Sequence, residues 1–232
     1  ATTSSLETTH QSTDYNAINL YANYRYSWND THNLSLMGGF NQESSDWKKL
    51  YTYSYDMINE KYPSHSTATG ENKVITDDHR VYTVRGAFYR VNYDYKGKYL
   101  FETNGRYDGS SKFPKKNRFG FFPSVSVGWN IAEEPFFEKI KEKTGWDMFK
   151  IRASFGSLGS QNTNSFYPYF QKMFTNPMSD YVFDGVAATQ LKAPAPFSTN
   201  ITWETVQNTN VGVDLAFFNS RLSIMGEWYE RK

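Results

Sequence analysis

Between residues 96 and 137 the chain reads KGKYLFETNGRYDGSSKFPKKNRFGFFPSVSVGWNIAEEPFF, and the alternation there restricts the fold more than any other stretch. After a tight turn at Lys96-Gly97-Lys98, one parity holds Tyr99, Phe101, Thr103, Gly105 and Tyr107. The other holds Leu100, Glu102, Asn104, Arg106 and Asp108. A strand reverses face at every residue, so one side is aromatic or small and the other carries charges and an amide. A Gly/Ser/Lys-rich loop, 109–118, leads into a second strand that sets Phe121, Pro123, Val125, Val127, Trp129 and Ile131 against Phe122, Ser124, Ser126, Gly128 and Asn130. This is the dyad pattern of a transmembrane β-barrel, apolar toward lipid and polar toward a wet lumen.

The same split recurs along the chain. It predicts strands over 16–28, 34–41, 80–95, 147–157, 202–217 and 222–231, with tight turns at 29–32, 96–97 and 219–220, where Asn, Asp, Gly and Ser favour turn geometry. Residues 1–13 are polar and Ser/Thr-rich and fit a strand end as well as a loop. Two long irregular segments, 43–78 and 158–200, interrupt the pattern, and loops of that length are usually functional or mobile. A small hairpin that draws on Tyr167-Pro168-Tyr169-Phe170 and Tyr181-Val182-Phe183 is expected inside the second. One helix is predicted after Ile131. Glu133 and Glu134 precede Pro135 at a first helical position, Phe136, Phe137 and Ile140 form an apolar stripe, and Gly145 is the stop.

Connection lengths alternate. The short turns and the compact helix fall on one side, and 43–78, 109–118 and 158–200 fall on the other. Short periplasmic turns and longer external loops are the habit of outer-membrane barrels, so eight barrel strands are expected, with the long loops outside. Composition agrees with this without deciding it. Mean hydropathy is −0.70 and no run approaches the ~20 apolar residues of a membrane helix. Aromatics nevertheless make up 18% of the chain, a total that aromatic-rich soluble sandwiches and carbohydrate-binding modules also reach.

The net charge of +1 gives no reason to expect nucleic acid. With no cysteine there is neither a disulfide nor a thiolate metal site. The four histidines, His10, His32, His65 and His79, lack metal-ligand spacing. No nucleophile elbow or phosphate-cradling glycine loop is present, so neither an enzyme nor a cofactor is expected. Both ends of the sequence have the look of cuts, with no initiator Met at Ala1 and a strand pattern running to Lys232.

YLFETNGRYDGSSKFPKKNRFGFFPSVSVGWNIAEEPFF closely resembles a signature of the SusC/RagA family, the TonB-dependent outer-membrane nutrient importers of Bacteroidota. KIRASFGSLGSQN (150–162) and ITWETVQNTNVGVDLAFFNSRLS (201–223) are similar to later barrel segments of that family, in the same order. The resemblance implies an all-β fold, part of an antiparallel transmembrane barrel of about 22 strands with one short periplasmic helix. It implies that residues 1–232 are a fragment of the barrel domain and that the plug lies elsewhere. The implied function is import of glycans or oligopeptides across the outer membrane. The implied partners are a SusD-like surface lipoprotein, the TonB complex acting through the plug, and outer-membrane lipid. The rivals are a complete small eight-strand outer-membrane barrel with an adhesive or structural role, and a soluble carbohydrate-binding β-domain.

Two sets of residues are candidates for contact with cargo or partners. Arg90, Glu102, Asn104, Arg106, Asp108, Glu204 and Asp214 share the polar parity and would line the lumen, meeting plug or solute, or else satisfying one another across strands. Trp47, Tyr51, Tyr167, Tyr169 and Phe170 are aromatics of the two long segments, suited to stacking on sugars or packing on a partner, or to packing within their own loops.

Overall fold

The computed structural model describes residues 4–71, 73–163, 165–171 and 197–232, together with short backbone pieces at 175–176, 182–183, 186–187, 190–191 and 193. Eight strands form one sheet: β1 (Ser5–Trp28), β2 (His32–Tyr55), β3 (Val74–Tyr95), β4 (Tyr99–Ser110), β5 (Phe119–Asn130), β6 (Trp146–Ser160), β7 (Glu204–Phe217) and β8 (Leu222–Arg231). Their order in the sheet is their order in the sequence, and each successive pair from β3 to β8 is antiparallel. Two-residue ladders join Val182–Phe183 to Val186–Ala187 and Thr175–Asn176 to Gln190–Leu191. The first takes up Val182 and Phe183 of the expected hairpin, but residues 167–170 are turn and bend rather than strand, and Tyr181 lies outside the described residues.

The tight turns are built as the sequence implies. Asn29 and Asp30 have φ of 53° and 50°, Lys96 and Gly97 have 55° and 68°, and Phe218, Asn219 and Ser220 are all left-handed. Two consecutive residues at positive φ match the right-handed twist of the flanking strands. Thr31 N–H closes the first turn on the Trp28 carbonyl (3.3 Å), and Lys98 N–H closes the second on Tyr95 (2.9 Å).

The first three strands are longer than the alternation indicates. β1 and β2 have 24 residues each and β3 has 22, against the ~9–11 that cross a bilayer. The expected loop 43–78 shrinks to 56–73, so Trp47 and Tyr51 lie on β2 rather than in a loop. The polar start of the chain is strand from Ser5 onward. Residues 42–55 contain no Gly or Pro and end in Tyr-Thr-Tyr-Ser-Tyr, all compatible with extended backbone, but Glu43, Ser45 and Lys49 interrupt the face that carries Trp47, Tyr51, Tyr53 and Tyr55. An aromatic face broken by charges blurs the dyad pattern. Pro63 and Gly70, which break strands, fall inside the true loop.

The chain forms two compact units, one of Ala1–Ile18 with Gln42–Thr83, the other of Asn19–Asn41 with Val84–Lys232. The first is a polar β-structure. Its loop is fixed by Asp56 N–H on the Ser4 carbonyl (2.8 Å) and by His65, whose ring nitrogens meet the hydroxyls of Thr8 (2.8 Å), Thr52 (3.1 Å) and Ser54 (3.0 Å).

In the second unit the helix starts later than expected. A 3₁₀ turn spans Ile131–Glu133, and α1 covers only Glu138–Thr144, so Pro135 precedes the helix instead of opening it. Glu134 takes the extended backbone that a following proline favours. Gly145 ends the helix at φ 67°, as anticipated. Of the predicted stripe only Phe137 is buried, with Ile131 and Ala132 and against Trp146 and Phe149; Phe136 is 62% exposed and Ile140 is also exposed.

Candidate functional site

Residue pairing lays the second unit out as two contrasting faces. On the apolar side an aromatic row runs along the turn end of β1–β5. Trp28 stacks on His32 (4.8 Å), His32 meets Tyr95 (4.8 Å), Tyr95 meets Tyr99 (6.2 Å), and Tyr99 stacks on Trp129 (6.4 Å). A second aromatic group stands at the other end of β4 and β5, where Tyr107 stacks on Phe119 (5.2 Å) and pairs with Phe121. Tyr99 to Tyr107 is nine residues, as is Phe121 to Trp129, the length a tilted strand needs to cross the hydrocarbon core. Between the rows Phe101, Val125 and Val127 are exposed, so the large apolar side chains face outward. Two aromatic girdles bounding an outward apolar band are the surface of a membrane barrel.

The opposite face is polar and internally bonded. Arg106 grips Asp108, two residues along the same strand, with Nε and Nη2 each 2.9 Å from a carboxylate oxygen, and Nη2 also donates to Asn41 Oδ1 (2.9 Å). Asp108 is buried because its neighbours in register are Gly86 on β3 and Gly120 on β5, and its carboxylate occupies the space a Gly86 side chain would need. Asn104 donates to Glu102 (3.2 Å) and accepts from Ser124 Oγ (2.9 Å). Arg90 pairs with Asn104 in register and is exposed, as is Glu204, which pairs with Ser160 at the start of β7.

Farther along the sheet Arg152 on β6 meets Asp214 on β7 (3.3 Å) and Glu227 on β8 (3.2 Å). A concavity of about 630 Å³ is lined by Arg25, Asn33, Asp94, Glu102, Lys150 and Arg152 of this parity and also by Tyr93, Phe101 and Val127 of the other. Of the seven polar-parity candidates only Glu102 lines it; Asp214 reaches it through Arg152.

The loop end carries a small aromatic core that the alternation does not reveal. Phe113, inside the Gly/Ser/Lys-rich loop, is fully buried, 5.2 Å from the Trp203 ring, which in turn meets Phe122 at 5.3 Å. Trp203 Nε1 donates to the Arg118 carbonyl (2.9 Å), and Tyr169 Oη donates to the Ser111 carbonyl (3.2 Å). Tyr169 also packs on Phe170 (4.9 Å), and Tyr167 meets Phe170 at 6.4 Å. Trp47 and Tyr51 belong to the other unit. There the Arg80 guanidinium lies 4.6 Å from the Trp47 ring, and Lys49 Nζ lies 5.9 Å from Tyr51. The signal for Phe113 was a lone aromatic in a polar loop, which has no period to give it away.

The description "TonB dependent receptor-like, beta-barrel" matches residues 1–232. The chain belongs to the TonB-dependent receptor barrel family. Curated relatives include TonB-dependent receptor P3 of Formosa agariphila, 29% identical over 91% of this chain and 20% of that protein. TonB-dependent receptor SusC of Bacteroides thetaiotaomicron is 34% identical over 65% of this chain and 15% of its own length. The resemblance to SusC/RagA read from the three motifs is thereby borne out. Among solved structures, the RagAB peptide transporter superposes with a TM-score of 0.83 at 21% identity, over 97% of this chain and 24% of that one, a likeness of fold. The chain spans about a fifth of the length of the curated relatives it matches.

In this receptor barrel the segment after β5 is organised by one carboxylate. Glu134 accepts from Tyr99 Oη (2.7 Å), Trp129 Nε1 (3.2 Å) and Lys98 Nζ (3.2 Å). The Tyr99 bond above all, then those of Trp129 and Lys98, holds its pKa below the ordinary glutamate value, against partial burial that acts the other way. Two girdle aromatics are thus tied to the connection leading into α1. The His32 ring joins the same girdle, with Nδ1 2.7 Å from Tyr93 Oη. Among the described residues no group of three His, Asp or Glu side chains is placed to hold a metal.

Proposed function

We propose that this chain is one section of the wall of a wider outer-membrane barrel, and that the whole protein imports glycans or oligopeptides. The observation carrying this is a pair of girdles that bound nine-residue strand spans, with an opposite face of bonded charges. Arg106, Asp108, Arg152, Asp214 and Glu227 on one face suit a wide, wet lumen, whereas a closed eight-strand barrel is filled by side chains. Strand β8 is exposed along its whole length, which suits a further strand beside it. The short turns and α1 face the periplasm in this reading, and the loops 56–73, 111–118 and 161–203 face outside. Arg90, Glu102, Asn104, Arg106, Asp108, Glu204 and Asp214 line the lumen, and Tyr167, Tyr169 and Phe170 stand at the external mouth, while Trp47 and Tyr51 are carried on the polar extension of β2.

The SusC relationship supports a SusD-like surface lipoprotein as lid, and the family supports energising through TonB and a plug carried elsewhere in the protein. The role is binding and gated passage, without catalysis. The test is uptake of labelled oligosaccharides and oligopeptides by cells carrying or lacking the gene, with and without the proton gradient. Energy-dependent uptake that disappears with the gene is expected. Equal uptake by both strains for both cargo classes would reject the import reading.

A further inference from the structure

Residues 131–145, which connect β5 to β6, pack against the apolar side of the sheet. The buried Phe137 meets Trp146 (5.8 Å) and Phe149 (5.9 Å), and Trp146 meets Phe217 (4.8 Å). Phe149 pairs in register with Leu215 and shares parity with Ile151, the partner of Trp129, so it belongs to the face that carries the girdles. Trp146 stands on the other parity of β6. A register shift between Ala216 and Phe217 nevertheless sets it opposite Phe217, on the apolar side. Phe137 therefore docks on the outside of the wall.

Glu134 fixes the height at which it does so. Its Oε1 accepts from Tyr99 Oη (2.7 Å) and Trp129 Nε1 (3.2 Å), and its Oε2 from Lys98 Nζ (3.2 Å). The carboxylate is thus level with the polar tips of the girdle, and girdle Tyr and Trp rings sit at the headgroup level of a bilayer. Pro135 follows, and then Phe136. Phe137 fills the cluster on the sheet, whereas Phe136 and Ile140 are exposed. A segment whose inner side rests on the lipid-facing wall, at girdle height, has the membrane interface on its outer side. Two large apolar side chains at that place are accounted for by lipid.

We infer that residues 134–140 are an interfacial anchor, laid along the outside of the wall with Phe136 and Ile140 seated at the headgroup–acyl boundary of the leaflet nearest the tight turns. A surface-lying segment buries its apolar side chains at that depth and leaves its charged ones in the headgroup layer. Here the charged groups include Glu133 and Lys141, which pair with each other (3.4 Å). The lipid contact of the strands continues without a break through Tyr99, Trp129 and Glu134 into a connection that is not itself strand. This rests on the membrane-wall reading proposed above, in whose orientation the leaflet is the periplasmic one.

The test uses the full-length receptor, freed of any other cysteine, spin-labelled at single introduced cysteines and folded into lipid vesicles. Collisions of the label with oxygen, which concentrates in the bilayer, are compared with collisions with a water-soluble nickel chelate. Val125→Cys, midway between the girdles, and Glu60→Cys, exposed in loop 56–73, give the lipid and water references. At Phe136→Cys and Ile140→Cys the oxygen-to-nickel ratio is expected to stand about tenfold above the water reference. In a Glu134→Ala background it falls toward that reference, while the receptor keeps its heat-modifiable mobility. A ratio at Phe136 equal to that at Glu60 overturns the inference. So does a label there that meets neither reagent, which would reveal a protein contact in place of lipid. An unchanged ratio in Glu134→Ala overturns the positioning role of that carboxylate. If the label at Val125 itself reads as water, the membrane-wall reading fails, and the anchor fails with it.

Discussion

The guanidinium of Arg152 reaches past Gly212 to place Nη2 3.2 Å from Glu227 Oε2, two strands away. The glycine makes the reach possible, because a β-carbon at Gly212 would lie 2.8 Å from Arg152 Cζ. A double-mutant cycle of Arg152→Ala and Glu227→Ala in the folded receptor should give a coupling of about 0.5–1 kcal/mol, the scale of partly exposed pairs. In a Gly212→Ala background the coupling should fall close to zero. Chemical unfolding in vesicles measures both; a coupling that survives Gly212→Ala would show that the guanidinium has another route to Glu227.

The assignment of faces is tested midway between the two girdles. Val125→Arg places a charge on the lipid side and should cost ~2–4 kcal/mol. Ser126→Arg, one residue along on the polar face, should cost under ~1 kcal/mol. Refolding yield and unfolding free energy in vesicles report the difference, and reversed costs would shift β5 by one residue.

Glu134 predicts an acid dependence. Its folded pKa is depressed, so its contribution is complete above the unfolded value of about 4.3 and is lost as pH falls toward the folded pKa. Stability measured from pH 6 downward should therefore decline less steeply below about 4.3 in Glu134→Gln than in wild type. Parallel profiles would mean that the carboxylate is not held by Tyr99, Trp129 and Lys98 in solution.

Phe113 is the anchor of the β4–β5 tip. Phe113→Ala removes a fully buried ring, a change worth ~3–5 kcal/mol, but the loss should stay local to the loop. Trypsin is then expected to cut at Lys112, Lys115, Lys116 or Arg118 while the barrel keeps its heat-modifiable mobility. Resistance equal to wild type would show that Trp203 and Tyr169 hold the tip without it.

The strands that face lipid were legible in the sequence because burial in lipid forces apolar and polar residues to alternate. Residues 99–108 and 222–231 are the plainest cases, and their turns were legible because Lys96-Gly97 and Asn219-Ser220 must adopt positive φ. Residues 42–55 of β2 were hidden because Glu43, Ser45 and Lys49 fall on the same parity as Trp47, Tyr51, Tyr53 and Tyr55, so the segment read as loop. Phe113 escaped because side chains from separate segments form its cluster, and Trp203, which the alternation puts on the apolar face of a strand over 202–217, instead precedes β7 and packs on Phe113 and Phe122. The lumen candidates were found as a face but not as partners. Alternation places Arg152 and Asp214 on one side, while their contact depends on the register between β6 and β7 and on the space at Gly212.

Every strand of the sheet pairs only with its sequence neighbours, and this bears on how the wall assembles. Each pairing can form by closing a single hairpin, without waiting for distant parts of the chain. Closure is cheap where the link is the Lys96-Gly97 turn and dearest between β6 and β7, where residues 161–203 intervene. By loop-closure entropy that step costs roughly 2 kcal/mol more than a turn of two or three residues. The slow point of assembly thus falls between Ser160 and Glu204, and the Phe113–Trp203 contact and the Tyr169–Ser111 bond tie both ends of that connection to the β4–β5 loop.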